Sequence, residues 1–556
     1  MVHVLIGYLI AGLLMILGLF VSLGETRHDI TGGKSSIQRE VEKKYKKLKL
    51  KERISFHKYC FPKSYQVQPQ QFLVGDYMRP GSGHKSILVF HKIGAGKTCL
   101  SIQIAEKWKH KGRPLMVMPA SLIPGFKNEL RSPCAGNEYI TEEERAKLKI
   151  LRAESSEYKD IIKLSDTRID RAYNILSYNK FSTSGRIEAP VIIIDEIQNV
   201  DNENGIFYKS ILSWVEAHPA APCIVMSGTP IFDHPKELVS IAKLLRIKVP
   251  DGDDPITPKN IPKLFDGKVS YFAGAPSYTF PEAIIKIVKC VMSPFQARWY
   301  KSEIESEMSK RGNLYTVQVD NDFYIKSRQR SNIVYPQGLS GVEGIGKLTK
   351  STILSDLDRY SCKYTSMMKN IKKGRLSFIY SSFTGYGGIQ AIKKILSAYG
   401  YKDFAKHGPG KLRYAVFSGE ETIKEKDTIR HTFNSPANDN SSQLQIIIGS
   451  PSIKEGVSLM RVRSVHIMET YWNHSRLAQI LGRAIRYCSH KSLPAEKRNV
   501  KVYLYAAIVN KNAPATPINS IDLYMLDLAD KKKAEVEPYI DALMKCAFDR
   551  YIYYPE

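Results

Sequence analysis

Acidic residues are in short supply in this chain. It carries 55 Asp and Glu against 82 Lys and Arg, a formal charge of +27, with a pI near 9.5. A surplus of that size points to a polyanionic partner, either nucleic acid or an anionic membrane surface. Cysteine is sparse too. The 8 cysteines (60, 99, 134, 223, 290, 362, 488 and 546) are scattered with no CxxC pair. That argues against a zinc site or a disulfide framework and fits a reducing compartment. Low-complexity tracts and internal repeats are absent, and 43% hydrophobic with 25% charged residues is a globular composition. At 556 residues the chain exceeds one ordinary core, and about two to four domains are expected.

Charge is missing altogether from one stretch. "VHVLIGYLIAGLLMILGLFVSLG" holds no Lys, Arg, Asp or Glu before Glu25. About 20 such residues in a helix span roughly 30 Å, the thickness of a hydrocarbon core. A signal peptide would have a basic start and an A-x-A-like cleavage site, and neither is present. Residues 1–24 are therefore expected to form a single-pass transmembrane anchor, with membrane contact through residues 2–23; a buried apolar helix is the competing reading. The basic "REVEKKYKKLKLKER" that follows would stay cytoplasmic with the rest of the chain, as a solvated helix face or against anionic lipid.

Beyond this basic linker (25–58), short apolar runs such as "SILVF", "PLMVM", "VIIIDE" and "CIVMSG" alternate with amphipathic stretches. Near-continuously apolar strands separated by helices predict a parallel sheet covered on both faces. The first such α/β domain is placed at 59–250. A second series, "RLSFIYSS", "RYAVFSG", "LQIIIGS", "SVHIMET" and "VKVYLYAAI", defines another at 366–515. Between them, 251–365 reads as an insertion or lid, and 516–556 as a helical tail.

Three clusters carry chemistry. "HKIGAGKT" follows a strand and opens a helix, so backbone amides and a helix N-terminus converge where an anion would bind. His91, Lys92, Ile93, Gly94, Ala95 and Gly96 would form the cradle. Lys97 would reach the β- and γ-phosphates of ATP, and Thr98 would hold Mg²⁺. His91 stands where the strict pattern has Gly. "VIIIDEIQNV" ends a strand in two carboxylates, with Asp195 suited to Mg²⁺ and Glu196 to deprotonating the attacking water. In "SRLAQILGRAIRYCSH", Gln479, Gly482, Arg483 and Arg486 fall at i, i+3, i+4 and i+7, and on a helix these share one face. Arginines so placed stabilise a transferring phosphoryl group.

Together the motifs resemble the superfamily-2 helicases and translocases over about residues 65–510. "VQPQQFLVGDYM" resembles the glutamine motif, which implies that Gln71 reads adenine. "HKIGAGKT" is similar to motif I, "VMPASLIPGFKNEL" to Ia and "NILSYNKF" to Ib. "DEIQ" resembles motif II, with Gln198 where His or Asp is commoner, and "MSGTPIFDHPKEL" resembles motif III. "SFIYSSFTGYGGIQAIKKIL", "IIIGSPSIKEGVSL" and "QILGRAIR" resemble motifs IV, V and VI. Finer likeness, in "RQRSNIVYPQG" and "ETYWNHSRLAQILGRAIR" among others, is to poxvirus nucleoside triphosphatase I and the small subunit of the poxvirus early transcription factor. The resemblance implies tandem RecA-like parallel-sheet domains, ATP hydrolysis on DNA (or RNA), and work in viral transcription within virions or cytoplasmic factories. It also implies ATP contacts by Gln198 and Gln479, and nucleic-acid contacts on the Ia, Ib, IV and V loops by Ser121, Ser177, Tyr380, Ser381 and Gly456. Each of these five is equally an ordinary loop or cap residue. Competing functions are a translocating motor, an ATPase subunit of a factor that binds promoter DNA with a second subunit, and a membrane-tethered scaffold. The last is disfavoured because Lys97, Asp195, Glu196 and both arginines are all present.

Overall fold

The computed structural model describes residues 33–48, 55–92, 94–151, 155–200, 202–311, 323–454, 457–510 and 516–553. The expected anchor at 1–24 lies outside these, as do Ile93 and Gly456. Among the described residues no helix is long and apolar enough to cross a membrane.

The chain folds as two compact units. The first comprises Thr26–Ala275 together with the residues from Ala534 onward, and the second is Pro276–Lys533. The first unit is built on a six-stranded parallel sheet: β1 (Ser86–His91), β2 (Leu115–Met118), β3 (Asn174–Ser177), β4 (Ile192–Asp195), β5 (Cys223–Ser227) and β6 (Val269–Phe272), in the order β3-β2-β4-β5-β1-β6. The continuous apolar runs have a direct cause, because both faces are covered. Leu88, Phe90, Ile192, Ile194, Cys223 and Val225 enter one core, while Ile87, Val89, Ile193, Ile224 and Met226 enter the other. Successive side chains thus feed opposite cores, as strand pleating requires.

The end of the chain contributes to both cores. Leu543, Cys546 and Ala547 join the first, and Phe548 and Ile552 the second. The Phe548 amide donates to the Val269 carbonyl at 2.9 Å, and its ring stacks on Tyr77 with centroids 4.0 Å apart.

The second unit holds seven parallel strands: β7 (Glu282–Val291), β8 (Ser377–Tyr380), β9 (Lys402–Asp403), β10 (Arg413–Phe417), β11 (Ile446–Gly449), β12 (Ser464–Ile467) and β13 (Asn499–Ile508), in the order β7-β13-β12-β8-β11-β10-β9. Here too alternate residues part company: Ile446 and Ile448 face one core, Ile447, Val465 and Ile467 the other.

The stretch read as an insertion at 251–365 is divided between the two units. β6 completes the first sheet beside β1. β7 pairs along its whole length with β13, from Glu282 beside Asn499 to Val291 beside Ile508. Tyr300, Ile304, Tyr324, Ile333 and Leu357 then build the second unit's core. The weak periodicity of this stretch has a structural origin. The helix Ile325–Asn332 buries Ser327, Arg328, Ser331 and Asn332, so its inward face is polar and invisible to a hydrophobic pattern.

Candidate active site

β1 ends at His91, and the helix Lys97–Trp108 begins after Gly96. The turn runs on two left-handed glycines, Gly94 at φ 83° and Gly96 at φ 80°. Gly96 is fixed twice over, since a Cβ there would also stand 2.6 Å from Gln71 Nε2. Gln70 donates through Nε2 to the Ala95 carbonyl at 3.1 Å, and Gln71 to that of Gly96 at 3.2 Å, while Gln71 Oε1 accepts from the Gln68 amide at 2.9 Å. Both glutamines are buried. The structure thus places Gln71, expected to read adenine, beneath the phosphate loop with both ends of its amide on backbone groups. Lys97 donates to the His91 carbonyl at 3.2 Å and, like Thr98, is partly exposed.

His91 closes the strand with its ring turned to β6. Its Nε2 lies 2.8 Å from Ser270 Oγ, which donates to Asp549 Oδ2 at 2.5 Å, and Asp549 Oδ1 accepts from the Tyr271 amide at 3.0 Å. Burial, with the Lys97 charge adding to it, pushes the imidazole down to about 3. Burial pushes the Asp549 carboxyl up to about 7, against the hydrogen bonds it accepts. His91 is therefore neutral, and through Ser270 it serves as a strap between the phosphate loop, β6 and Asp549.

The carboxylates emerge from the same sheet edge. β5 lies between β1 and β4, with Asp195 in register with Met226 and Ser227 with Phe90. Asp195 is 9% exposed, and its Oδ1 accepts from the Glu196 amide at 3.0 Å. Glu196 takes a left-handed conformation, φ 56°, which turns it out of the strand line. Gln198 then links motif to motif: Nε2 donates to Glu196 Oε2 at 2.5 Å, Oε1 accepts from Ser227 Oγ at 2.6 Å, and Ser227 Oγ accepts from the Thr229 amide at 2.9 Å. The sequence offered Gln198 as a nucleotide contact, whereas the structure makes it the bridge between the second carboxylate and the end of β5. Thr98 and Asp195 bring hard oxygen donors suited to a divalent cation, and the glycine cradle with its helix N-terminus suits a triphosphate.

In the second unit, the helix His474–Leu481 stops before the arginines. The one-face reading of Gln479, Gly482, Arg483 and Arg486 needed a longer helix. Gly482 caps it, and Ala484 and Ile485 turn into the core. Arg483 and Arg486 stay partly exposed; Arg483 Nε donates to the Gln479 carbonyl at 3.2 Å, and Arg486 Nη1 to that of Val457 at 3.5 Å.

Of the expected nucleic-acid contacts, Ser121 is exposed just beyond β2, and Ser177 ends β3, capping the next helix by accepting from the Lys180 amide at 3.1 Å. Tyr380 ends β8 and Ser381 follows it; both are buried, and Ser381 Oγ donates to Glu469 Oε1 at 2.8 Å. A backbone grip by these two would need the motif IV loop to open.

Sequence reading missed a buried polar centre in this unit. Lys363 is fully buried, and its ammonium group shares its N–H donors among four acceptors, Ser331 Oγ, Asn332 Oδ1, the Met468 carbonyl and Asp522 Oδ1, at 2.7–3.0 Å. The Arg328 guanidinium lies 5.2 Å from the Phe383 ring centre and 5.7 Å from that of Trp472. The motif-like "RQRSN" was the one available signal.

The glycine cradle, the paired carboxylates and the tandem parallel sheets define a nucleotide-hydrolysing class of protein. Two family models match: "Type III restriction enzyme, res subunit" over residues 37–232 and "Helicase conserved C-terminal domain" over 363–488. The chain belongs to the superfamily-2 helicases, nucleic-acid-dependent ATPases. It is 39% identical over 500 residues to a protein of Acanthamoeba polyphaga mimivirus that bears the name of an ATP-dependent RNA helicase, covering 84% of this chain and 87% of that one. A helicase-named protein of Invertebrate iridescent virus 3 is 27% identical over 86% of this chain and 53% of its own length. A termination factor NPH-I homolog of African swine fever virus is 25% identical over 78% of this chain and 70% of its own.

Proposed function

We propose that this helicase hydrolyses ATP to move along or remodel DNA, in viral transcription or genome handling. The observation that carries the hydrolytic part is the edge of the first sheet. There the phosphate loop, Asp195–Glu196 and the Gln198–Ser227 bridge emerge from neighbouring strands. Lys97 leaves the His91 carbonyl for the triphosphate, and the loop amides surround the phosphate oxygens. Glu196, oriented by Gln198, accepts the proton of the attacking water. Thr98 and Asp195 would hold Mg²⁺, which neutralises charge on the phosphates. Arg483 and Arg486 supply positive charge in the transition state, so Arg486→Ala should lose hydrolysis while retaining most nucleotide binding.

DNA as the polynucleotide is supported by the +27 charge and by the NPH-I homolog among the relatives. An RNA substrate is favoured instead by the RNA-helicase name of the mimivirus relative. Side-by-side ATPase rates with single-stranded DNA, duplex DNA and RNA decide between them, and stimulation by RNA alone would overturn the DNA reading. A factor subunit rather than a motor would show no strand displacement without a partner or promoter. Virion or viral-factory localisation and anchoring through residues 2–23 belong to the same proposal. Retention in the membrane pellet after alkaline carbonate supports the anchor, and release counts against it.

A further inference from the structure

The residue after Thr98 is Cys99, and it is not free. Cys99 is disulfide-bonded to Cys134 across 35 residues of chain, where the scattered cysteine pattern had led to no such expectation. Cys99 is the third residue of the phosphate-loop helix. Cys134 sits in the turn Pro133–Ala135, directly after the motif Ia helix Ile123–Leu130. The bond therefore joins the element that carries Lys97 and Thr98 to the one that carries the expected nucleic-acid loop.

Polar groups border the sulfur pair. Both sulfurs lie within 4.8 Å of a Glu129 carboxylate oxygen. The Tyr65 hydroxyl lies 2.8 Å from Cys99 Sγ. Tyr65 belongs to residues 61–68, an exposed stretch without helix or strand, while Cys99 and Cys134 are only 5% and 4% exposed. Gln103 Nε2 donates to the Cys134 carbonyl at 2.7 Å, so the two elements stay aligned when the bond is open.

We propose that Cys99 and Cys134 form a thiol–disulfide exchange site that sets ATP affinity by tethering the first turn of the phosphate-loop helix. The co-reactant is a small disulfide such as oxidised glutathione. The Cys99 thiolate attacks one of its sulfurs and expels a glutathione thiolate. The Cys134 thiolate then attacks Cys99 Sγ in the mixed disulfide and expels the second. Two protein thiols lose two electrons and two protons, and one glutathione disulfide becomes two glutathione thiols. The tethered turn resists the rearrangement that frees Lys97 from the His91 carbonyl, so the oxidised form binds ATP more weakly.

The functional half of this proposal rests on the ATPase reading, and the test separates the two. The full chain is equilibrated in reduced or oxidised glutathione, alkylated, and peptide-mapped by mass spectrometry. Affinity for a fluorescent ATP analogue is measured on the same samples, beside ATPase KM. Expected is a reversible Cys99–Cys134 linkage with roughly fivefold weaker nucleotide binding in the oxidised state, abolished in Cys134→Ser and in Cys99→Ser. Free thiols at both positions in oxidising buffer would overturn the proposal. So would zinc that co-purifies with both thiols as its ligands, or equal affinity in the two states. Redox-dependent nucleotide binding without any ATP turnover would keep the exchange site and sink the hydrolytic reading instead.

Discussion

At the scale of single residues, the bridge through Gln198 was the least legible and has the clearest consequence. Lys97, Asp195 and Glu196 could be named from residue type and spacing, because phosphate and a hard cation demand a lysine and carboxylates at fixed places. Gln198 only gains meaning once β5 is known to lie between β1 and β4. Gln198→Ala removes the acceptor of the Ser227 hydroxyl and the amide that donates to Glu196, and kcat should fall about 10- to 100-fold with KM little changed. Lys97→Ala should lower kcat/KM by about 10²-fold or more. Steady-state ATPase kinetics check both, and unchanged turnover in the lysine variant would void the site. Asp549 gives a pH signature. Its carboxyl is raised on folding to about 7, so folding favours the protonated form. That contribution is full below about pH 4 and drains away as pH rises to about 7. Asp549→Asn should flatten the part of the Tm-against-pH slope lying in that window; an identical slope would place the proton elsewhere.

At the scale of elements, strands were readable and polar helices were not. Runs such as "VIIID" identify themselves, because a parallel strand covered on both faces must be apolar throughout. The helix Ile325–Asn332 hides its role, since it packs serine, arginine and asparagine inward. The motif VI helix was misjudged in length because spacing alone does not reveal that Gly482 ends it. The buried Lys363–Asp522 pair holds this polar layer to the helix Ile521–Cys546. Removing one partner strands the other, so Lys363→Met should cost about 3–5 kcal/mol, read by denaturant titration. A cost below about 1 kcal/mol would mean that water replaces the lysine.

For the molecule as a whole, charge was the legible quantity and connectivity was not. The +27 surplus makes polynucleotide binding salt-dependent. Log affinity against log salt should slope more steeply than about −3. Fluorescence anisotropy across a KCl series measures it, and a flat line would assign the surplus to something other than phosphates. Nothing in the sequence announced that the first unit is assembled from two separate segments of the chain. Gln38 Nε2 donates to the carbonyls of Lys545 and Ala547 at 3.0 and 3.1 Å, and Asp549 reaches β6.

That arrangement has a price in time. During synthesis the six strands of the first sheet leave the ribosome long before residues 547–553 exist, and at about 5–20 residues per second the interval is tens of seconds. Until then the Tyr77 ring lacks the Phe548 stack, and the Val269 carbonyl lacks the Phe548 amide. A nascent chain caught in this interval is a natural client for chaperones, and its glycine loop is strapped to β6 only once Asp549 has been made.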